Sequence, residues 1–425
     1  MRRLLKYHTF QFLCCILLIQ YASSQTTKQV LFLGNSYTAA NNLPQLTAQV
    51  ALSCNDTLIY DSNTPGGYTF EMHTTNPTTL AKIAIGNWDY VVLQEQSQLP
   101  ALQNYVVEQD VFPYASFLDS LINLHNPCAE TMLYMTWGRK NGDSGFCPSW
   151  PPVCTYEGMD SLLHLRYMMM AIQNDAVVSP VGFVWNHIRQ NYPSIELYSG
   201  DESHPSVAGS YAAACCFYTS IFRKNPENIS YNSSLSQADA DSIKKAVRTV
   251  VFDNFSEWFI GVYDPSADFS FQINDNSIAF SNNSLFSDTY FWDFGDGNNS
   301  SDMNPTHSFG STGNYQVSLI ASHCDMHDTL IQNVDILIMN VLYPNTHSLF
   351  KIYPIPASDF LIVENSDELY SHIDICDMKG QTILHIQTNE QKLVSIPIQH
   401  LHNGIYILKI QNEHTSSIHK IIITH

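Results

Sequence analysis

Ser36 sits in Gly34-Asn35-Ser36-Tyr37-Thr38, directly after the apolar run Val30-Leu31-Phe32-Leu33. That places a hydroxyl at the end of a buried strand and just before a helix start. A serine hydroxyl is a poor nucleophile until a base removes its proton. Far downstream, Asp201-Glu202-Ser203-His204 offers an imidazole with a carboxylate three residues before it. His204 can serve as that base, and Asp201 can orient and stabilise the imidazole. Each motif alone has a plainer reading: a Gly-Asn-Ser turn, or a helix cap ahead of Pro205. Together, at what read as the first and last strand ends, they point to acyl transfer in the chain order Ser, Asp, His.

The elements that must position these groups are legible between residues 26 and 225. Apolar runs at 29–33, 58–62, 89–94, 130–136 and 176–181 alternate with helical stretches. Near-continuous apolar strands joined by connections long enough for crossover helices predict a parallel, doubly wound α/β sheet. Ligands of such sheets bind beyond the carboxyl ends of the strands. Ser36, Gly66-Gly67, Gln94-Glu95-Gln96 and Trp137-Gly138-Arg139 all fall at such ends. Helical stretches over 206–222 and 236–260 close this domain, which is expected to span 26–260.

The chain has 425 residues, a size that calls for two or three domains. It is 44% hydrophobic and only 14% charged, with a formal net charge of -20. Such an acidic surface excludes nucleic acid and anionic membranes as natural partners. Residues 1–24 read as a signal peptide: Arg2, Arg3 and Lys6, then an apolar stretch, then Ala22-Ser23-Ser24. A membrane anchor is the competing reading, though the stretch is short for a span. The mature chain is expected to be exported, soluble and without a transmembrane span. Eight cysteines follow the signal, and Cys147 and Cys154 flank a Pro-rich loop as the best local disulfide pair. The cysteine spacings fit no zinc template, and no metal or organic cofactor is implied.

The serine, glycine, glutamine and Asp-x-x-His blocks together resemble the SGNH hydrolase (GDSL-like esterase) superfamily over residues 27–225. The resemblance implies a flavodoxin-like three-layer α/β/α domain with Ser36, Asp201 and His204 as catalytic residues. It implies an oxyanion hole from the Ser36 N–H, the Gly67 N–H (or Gly66, one position away) and a side-chain amide. Here Leu93-Gln94-Glu95-Gln96-Ser97 replaces the usual Gly-x-Asn-Asp, so Gln96 takes the asparagine's place. Asn35 stands where the family more often has Asp. Glu95 reads as a structural acceptor, or as half of a glycosidase-like pair with Asp201. Arg139 reads as an anion contact or as a surface residue of the Cys147 loop.

From 264 to 342 the texture changes to short alternating stretches. Phe291-Trp292-Asp293-Phe294-Gly295-Asp296-Gly297, Asn304-Pro305-Thr306-His307 and Gly313-Asn314-Tyr315-Gln316-Val317 resemble a PKD domain, a β-sandwich. Its carboxylates could bind calcium or simply hold a turn. Over 345–425, Ile352-Tyr353-Pro354-Ile355-Pro356, Asp377-Met378-Lys379-Gly380-Gln381 and Asn403-Gly404-Ile405-Tyr406 resemble the C-terminal sorting domain of the type IX secretion system. That implies a second β-sandwich, the secretion machinery as partner, and a secreted or surface-attached location. The reading favoured is a secreted esterase acting on an acylated carbohydrate or another small ester. The alternative is a catalytically degenerate adhesin that binds glycans.

Overall fold

The computed structural model describes residues 25–274, 277–336, 350–365, 370–388, 391–411 and 416–425. The expected signal peptide lies outside the described residues. Five parallel strands form the first sheet: β1 (Thr27–Leu33), β2 (Thr57–Asn63), β3 (Tyr90–Leu93), β4 (Glu130–Tyr134) and β5 (Val177–Ser179). Their order is β2-β1-β3-β4-β5. That is the flavodoxin-like order, with its topological switch point between β1 and β3. The switch point is where Ser36 leaves the sheet.

The reason for this architecture is visible in the burial pattern. Val30 to Leu33 and Tyr90 to Leu93 are all buried, so both faces of the central strands must be covered. Helices Leu43–Leu52, Val207–Phe222 and Gln237–Val250 pack together as one layer, and Phe70–Thr75, Phe112–His125 and Tyr156–Gln173 as the other. Helix Val207–Phe222 is buried along almost its whole length, because small residues from Ala212 to Cys216 let it lie close on the sheet. Phe217 meets Phe32 edge-on at 5.5 Å. Edge strand β2 is only partly covered, with Ile59 half exposed.

The sequence reading placed Asp201 and His204 at the last strand end. The structure inserts helix Val181–Asn191 directly after β5, so the two residues lie on the loop that follows it. The apolar run at 176–181 hid that boundary, since β5 ends at Ser179 and the helix begins at Val181.

By contacts between backbones the chain divides into two compact units. One runs to Gln272 and takes in Ala279–Thr306 and Val317–Gln332; the other comprises Ile273–Ile278, His307–Gln316 and Asn333–His425. In the first, Trp292 is fully buried against Phe269 and Phe280, at ring distances of 5.0 and 5.3 Å. Leu319 pairs with Trp292 in an antiparallel register. In the second, Leu361, Val363, Ile373, Ile375, Leu408 and Ile421 form a core between a three-stranded and a four-stranded antiparallel sheet. Two disulfides are present among the described residues. Cys147–Cys154 closes the Pro-rich loop, as its spacing suggests. Cys128–Cys324 spans 196 residues and pins the segment after helix Phe112–His125 to the turn after strand Gly313–His323. In the chain-entropy picture a loop of that length is worth roughly 5 kcal/mol. No described helix is long and apolar enough to cross a membrane.

Candidate active site

The Ser36 turn follows from local chemistry. Asn35 is extended, and its Oδ1 accepts the Tyr37 N–H at 3.1 Å, so it caps the short helix Ser36–Ala39. Its Nδ2 donates to the Tyr68 carbonyl at 3.0 Å, tying the turn to the loop after β2. Gly34 is required by crowding, since a Cβ there would meet Thr38 Oγ1 at 2.5 Å and Gln94 Oε1 at 2.7 Å. At Gly67 the requirement differs: a Cβ would meet nothing within 4 Å, but φ is +72°, a region costly for other residues.

Ser36 Oγ lies 2.8 Å from His204 Nε2, across 168 positions of sequence. His204 Nδ1 lies 2.5 Å from Asp201 Oδ2. The other carboxylate oxygen, Asp201 Oδ1, accepts from Ser199 Oγ at 2.7 Å, His204 N at 2.9 Å and Ser203 N at 3.1 Å. Burial alone would raise the Asp201 pKa, but the bonds from Ser199, His204 and the two backbone N–H groups outweigh it and hold it well below the usual carboxylate range. The carboxylate therefore stays ionised across ordinary pH. The capping role ahead of helix Val207–Phe222 falls to Ser206, whose Oγ accepts Gly209 N at 3.1 Å. Asp201 is thus not the helix cap.

The loop carrying this pair is held at both ends. Ser199 N donates to the His204 carbonyl at 2.8 Å and Ser206 N to the Leu197 carbonyl at 2.9 Å. Tyr37, next to Ser36, binds Ser203 Oγ at 2.7 Å and stacks on Trp137 at 4.8 Å. Trp137 donates its indole N–H to the Ser203 carbonyl at 3.0 Å and stacks on Trp185 at 3.7 Å. One buried aromatic column thus fixes the spacing between the serine turn and the histidine loop.

The block after β3 is divided among three tasks. Gln94 is fully buried, and its Oε1 accepts from Asn35 N and Thr38 Oγ1, both at 2.9 Å. Glu95 accepts from Phe70 N at 3.0 Å and Gln96 N at 2.5 Å, which fixes the start of helix Phe70–Thr75. It is the structural acceptor its position suggests. Gln96 Oε1 accepts from Gln98 N at 2.8 Å and Leu99 N at 3.1 Å, and its Nε2 donates to Gln98 Oε1 at 2.9 Å. One Gln96 N–H is thereby engaged with a neighbour, and the amide carries a second. Arg139 pairs with Asp143 at 3.2 Å, and the Asp143 carboxylate also takes the N–H groups of Gly145 and Phe146 at the base of the Cys147 loop.

His73 escaped the sequence reading because a lone histidine on a short helix carries no local signal. It is fully buried. Its Nε2 lies 3.0 Å from the Gly34 carbonyl, which can only accept. Nε2 therefore holds the proton, and Nδ1 accepts from Thr79 Oγ1 at 2.8 Å. Burial, only partly offset by the Gly34 bond, lowers its pKa and keeps it neutral.

Burial pushes the Glu95 pKa up to about 8, against partial relief from the Gln96 and Phe70 N–H bonds. The unfolded chain titrates this carboxyl near 4.5. Its contribution to stability is therefore fully present below about 4.5 and is lost as pH rises through about 8. At ~1.4 kcal/mol per tenfold difference in proton affinity, that loss amounts to several kcal/mol. Glu95→Gln keeps an acceptor for both N–H groups and carries no proton to lose. Denaturant midpoints at pH 5 and pH 9 are expected to fall with pH more steeply in the parent than in the variant. Equal slopes would show that Glu95 does not titrate between them.

Sequence comparison assigns residues 272–336 to the PKD domain and residues 351–424 to the secretion system C-terminal sorting domain. No curated protein matches the chain. Among solved structures, the chain is similar to a DUF4886 family protein from Bacteroides uniformis, with 16% identity, coverage of 54% of this chain and 95% of that one, and a TM-score of 0.45. It is similar to a putative SGNH hydrolase from Slackia heliotrinireducens, with 25% identity, 45% and 97% coverage, and a TM-score of 0.38. A third likeness is to the PKD1 domain of the Vibrio cholerae metalloprotease PrtV, with 32% identity, 17% and 96% coverage, and a TM-score of 0.17. At these scores the fold of the first domain rests on its own strand order and register. The chain therefore joins a flavodoxin-like parallel α/β domain to a PKD domain and a secretion-system sorting domain, the last of which marks it for export across the outer membrane to a secreted or cell-surface location.

Proposed function

We propose that the first domain, over residues 26–260, is a serine esterase that hydrolyses ester bonds, with acylated and in particular acetylated carbohydrate as its substrate class. The observation that carries this reading is the continuous line from Ser36 Oγ through His204 to Asp201, at 2.8 and 2.5 Å. His204 Nε2 takes the Ser36 proton as Oγ attacks the ester carbonyl. The imidazolium that forms faces the ionised Asp201, and it returns the proton to the departing alcohol. Water activated by the same nitrogen then releases the acid and restores the hydroxyl. Because Asn35 caps Tyr37 N, the Ser36 N–H is not consumed by the cap and can face the oxyanion, with Gly67 N–H and the Gln96 amide as the further donors.

A fluorophosphonate probe tests this, since it labels only an activated hydroxyl. The expected result is a single adduct, mapped to Ser36 by mass spectrometry, together with hydrolysis of 4-nitrophenyl acetate. Folded protein that neither labels nor hydrolyses would overturn the esterase reading and favour the glycan-binding adhesin, which the engaged Gln96 amide would then explain.

A further inference from the structure

A cavity of about 250 Å³, lined among others by Asn41, Asn42, Gln45, Gln49, Tyr231 and Ser234, reaches the backbone that follows His204 through Asn41. At ~30 Å³ per water it holds several waters' volume, the scale of one pyranose ring. We infer that this cavity is a carbohydrate subsite of the esterase, one that binds an uncharged sugar ring adjoining the acylated one. That the ring adjoins an acylated one rests on the proposed esterase reading; that the ligand is a sugar rests on the lining.

Three observations carry it. First, the lining is neutral: amides, hydroxyls, one phenol, and Leu46 and Val207 as the apolar share. No carboxylate, lysine, arginine or histidine is among the lining residues, so nothing there would recognise an ionised ligand. A long acyl chain would cover polar groups it cannot bond, at about 1–3 kcal/mol for each one left buried without a partner. A polyhydroxylated neutral ring satisfies donors and acceptors alike. Second, the cavity is tied through Asn41 to both the Ser36 turn and the backbone after His204. Asn41 follows Ser36 by one short helix and part of a 3-10 turn, which is roughly 10 Å of chain rise. Asn41 Nδ2 also donates to the carbonyls of Pro205 and Ser206, at 3.2 and 3.1 Å, just past His204. Third, the backbone around it is strained. Asn41, Asn42 and Ser233, with φ of 50°, 51° and 54°, all line it. Non-glycine residues held left-handed store energy and cluster where a ligand is clamped. The bonds from Asn41 to the histidine loop show what enforces the strain here.

The test uses the full chain and two variants on exposed positions, Gln45→Ala/Gln49→Ala, which removes two amides, and Ser234→Trp, which fills the cavity. Unacetylated xylo-, cello- and manno-oligosaccharides are titrated calorimetrically, and their acetylated forms are assayed beside 4-nitrophenyl acetate. At least one oligosaccharide is expected to bind saturably to the parent. Both variants should weaken that binding about tenfold or more, the first for two lost hydrogen bonds at roughly 0.7 kcal/mol each and the second by occupying the ring's space. KM for the acetylated form should rise in step, while kcat/KM for 4-nitrophenyl acetate stays within about twofold. If no oligosaccharide binds, or if both variants bind and turn over the oligosaccharide as the parent does, the subsite assignment is wrong. Loss of ester turnover in the parent with oligosaccharide binding intact would instead remove the esterase and leave the sugar site standing.

Discussion

Asp201→Asn is expected to lower kcat for 4-nitrophenyl acetate by about 10,000-fold while the protein stays folded, the scale seen when a triad carboxylate is neutralised in place. The geometry explains why an isosteric change would be so damaging. Oδ1 accepts from three donors, Ser199 Oγ, Ser203 N and His204 N. The asparagine must keep its oxygen there, so its NH2 group turns toward His204 Nδ1. Nδ1 then has to accept, and the imidazole proton moves to Nε2, facing Ser36 Oγ. A protonated Nε2 cannot take the hydroxyl proton. KM should change little, because Asp201 touches only the imidazole and its own loop. A kcat within tenfold of the parent, at an unchanged melting temperature, would show that the histidine does not act through this carboxylate.

Gln94→Met is expected to lower kcat about 100-fold, with a smaller effect on KM for a short ester. Methionine keeps the shape of the buried side chain and deletes its acceptor. Asn35 N and Thr38 Oγ1, each 2.9 Å from Gln94 Oε1, would lose their partner inside the protein. Each orphaned group costs about 1–3 kcal/mol, and the turn can recover part of that only by moving. A displacement near 1 Å at a nucleophile is enough for about a 100-fold loss. The rate of fluorophosphonate labelling separates this from general destabilisation, since it should fall with kcat even well below the melting temperature. Unchanged labelling would reduce Gln94 to a packing residue.

Much of the site was legible because its signals are local. A buried strand followed by Gly34-Asn35-Ser36 puts a hydroxyl at the carboxyl end of a strand, where ligands of such sheets bind. Asp201 and His204 announce themselves through a three-residue offset, and the Cys147–Cys154 pair through a seven-residue loop. The parallel, doubly covered sheet also followed from near-continuous apolar runs, whereas the order of its strands came from the structure. The middle and last segments declared their families through short ordered motifs.

What the local signals could not carry was the role of each residue within a block. Gln94, Glu95 and Gln96 are neighbours of similar chemistry, yet one braces the Ser36 turn, one anchors a helix start, and one caps its own turn. Side chains alternate direction along the chain as a strand ends, so one position decides which loop each can reach. Likewise His73 gained its task only when folding laid its helix under the Gly34 carbonyl, and Cys128 found Cys324 only once the β-sandwich turn was brought against the first domain. The sequence by itself determined which groups are present and where each leaves its strand or loop. The tertiary structure alone decided which of them meet, because hydrogen bonding acts over about 3 Å while Ser36 and His204 stand 168 positions apart.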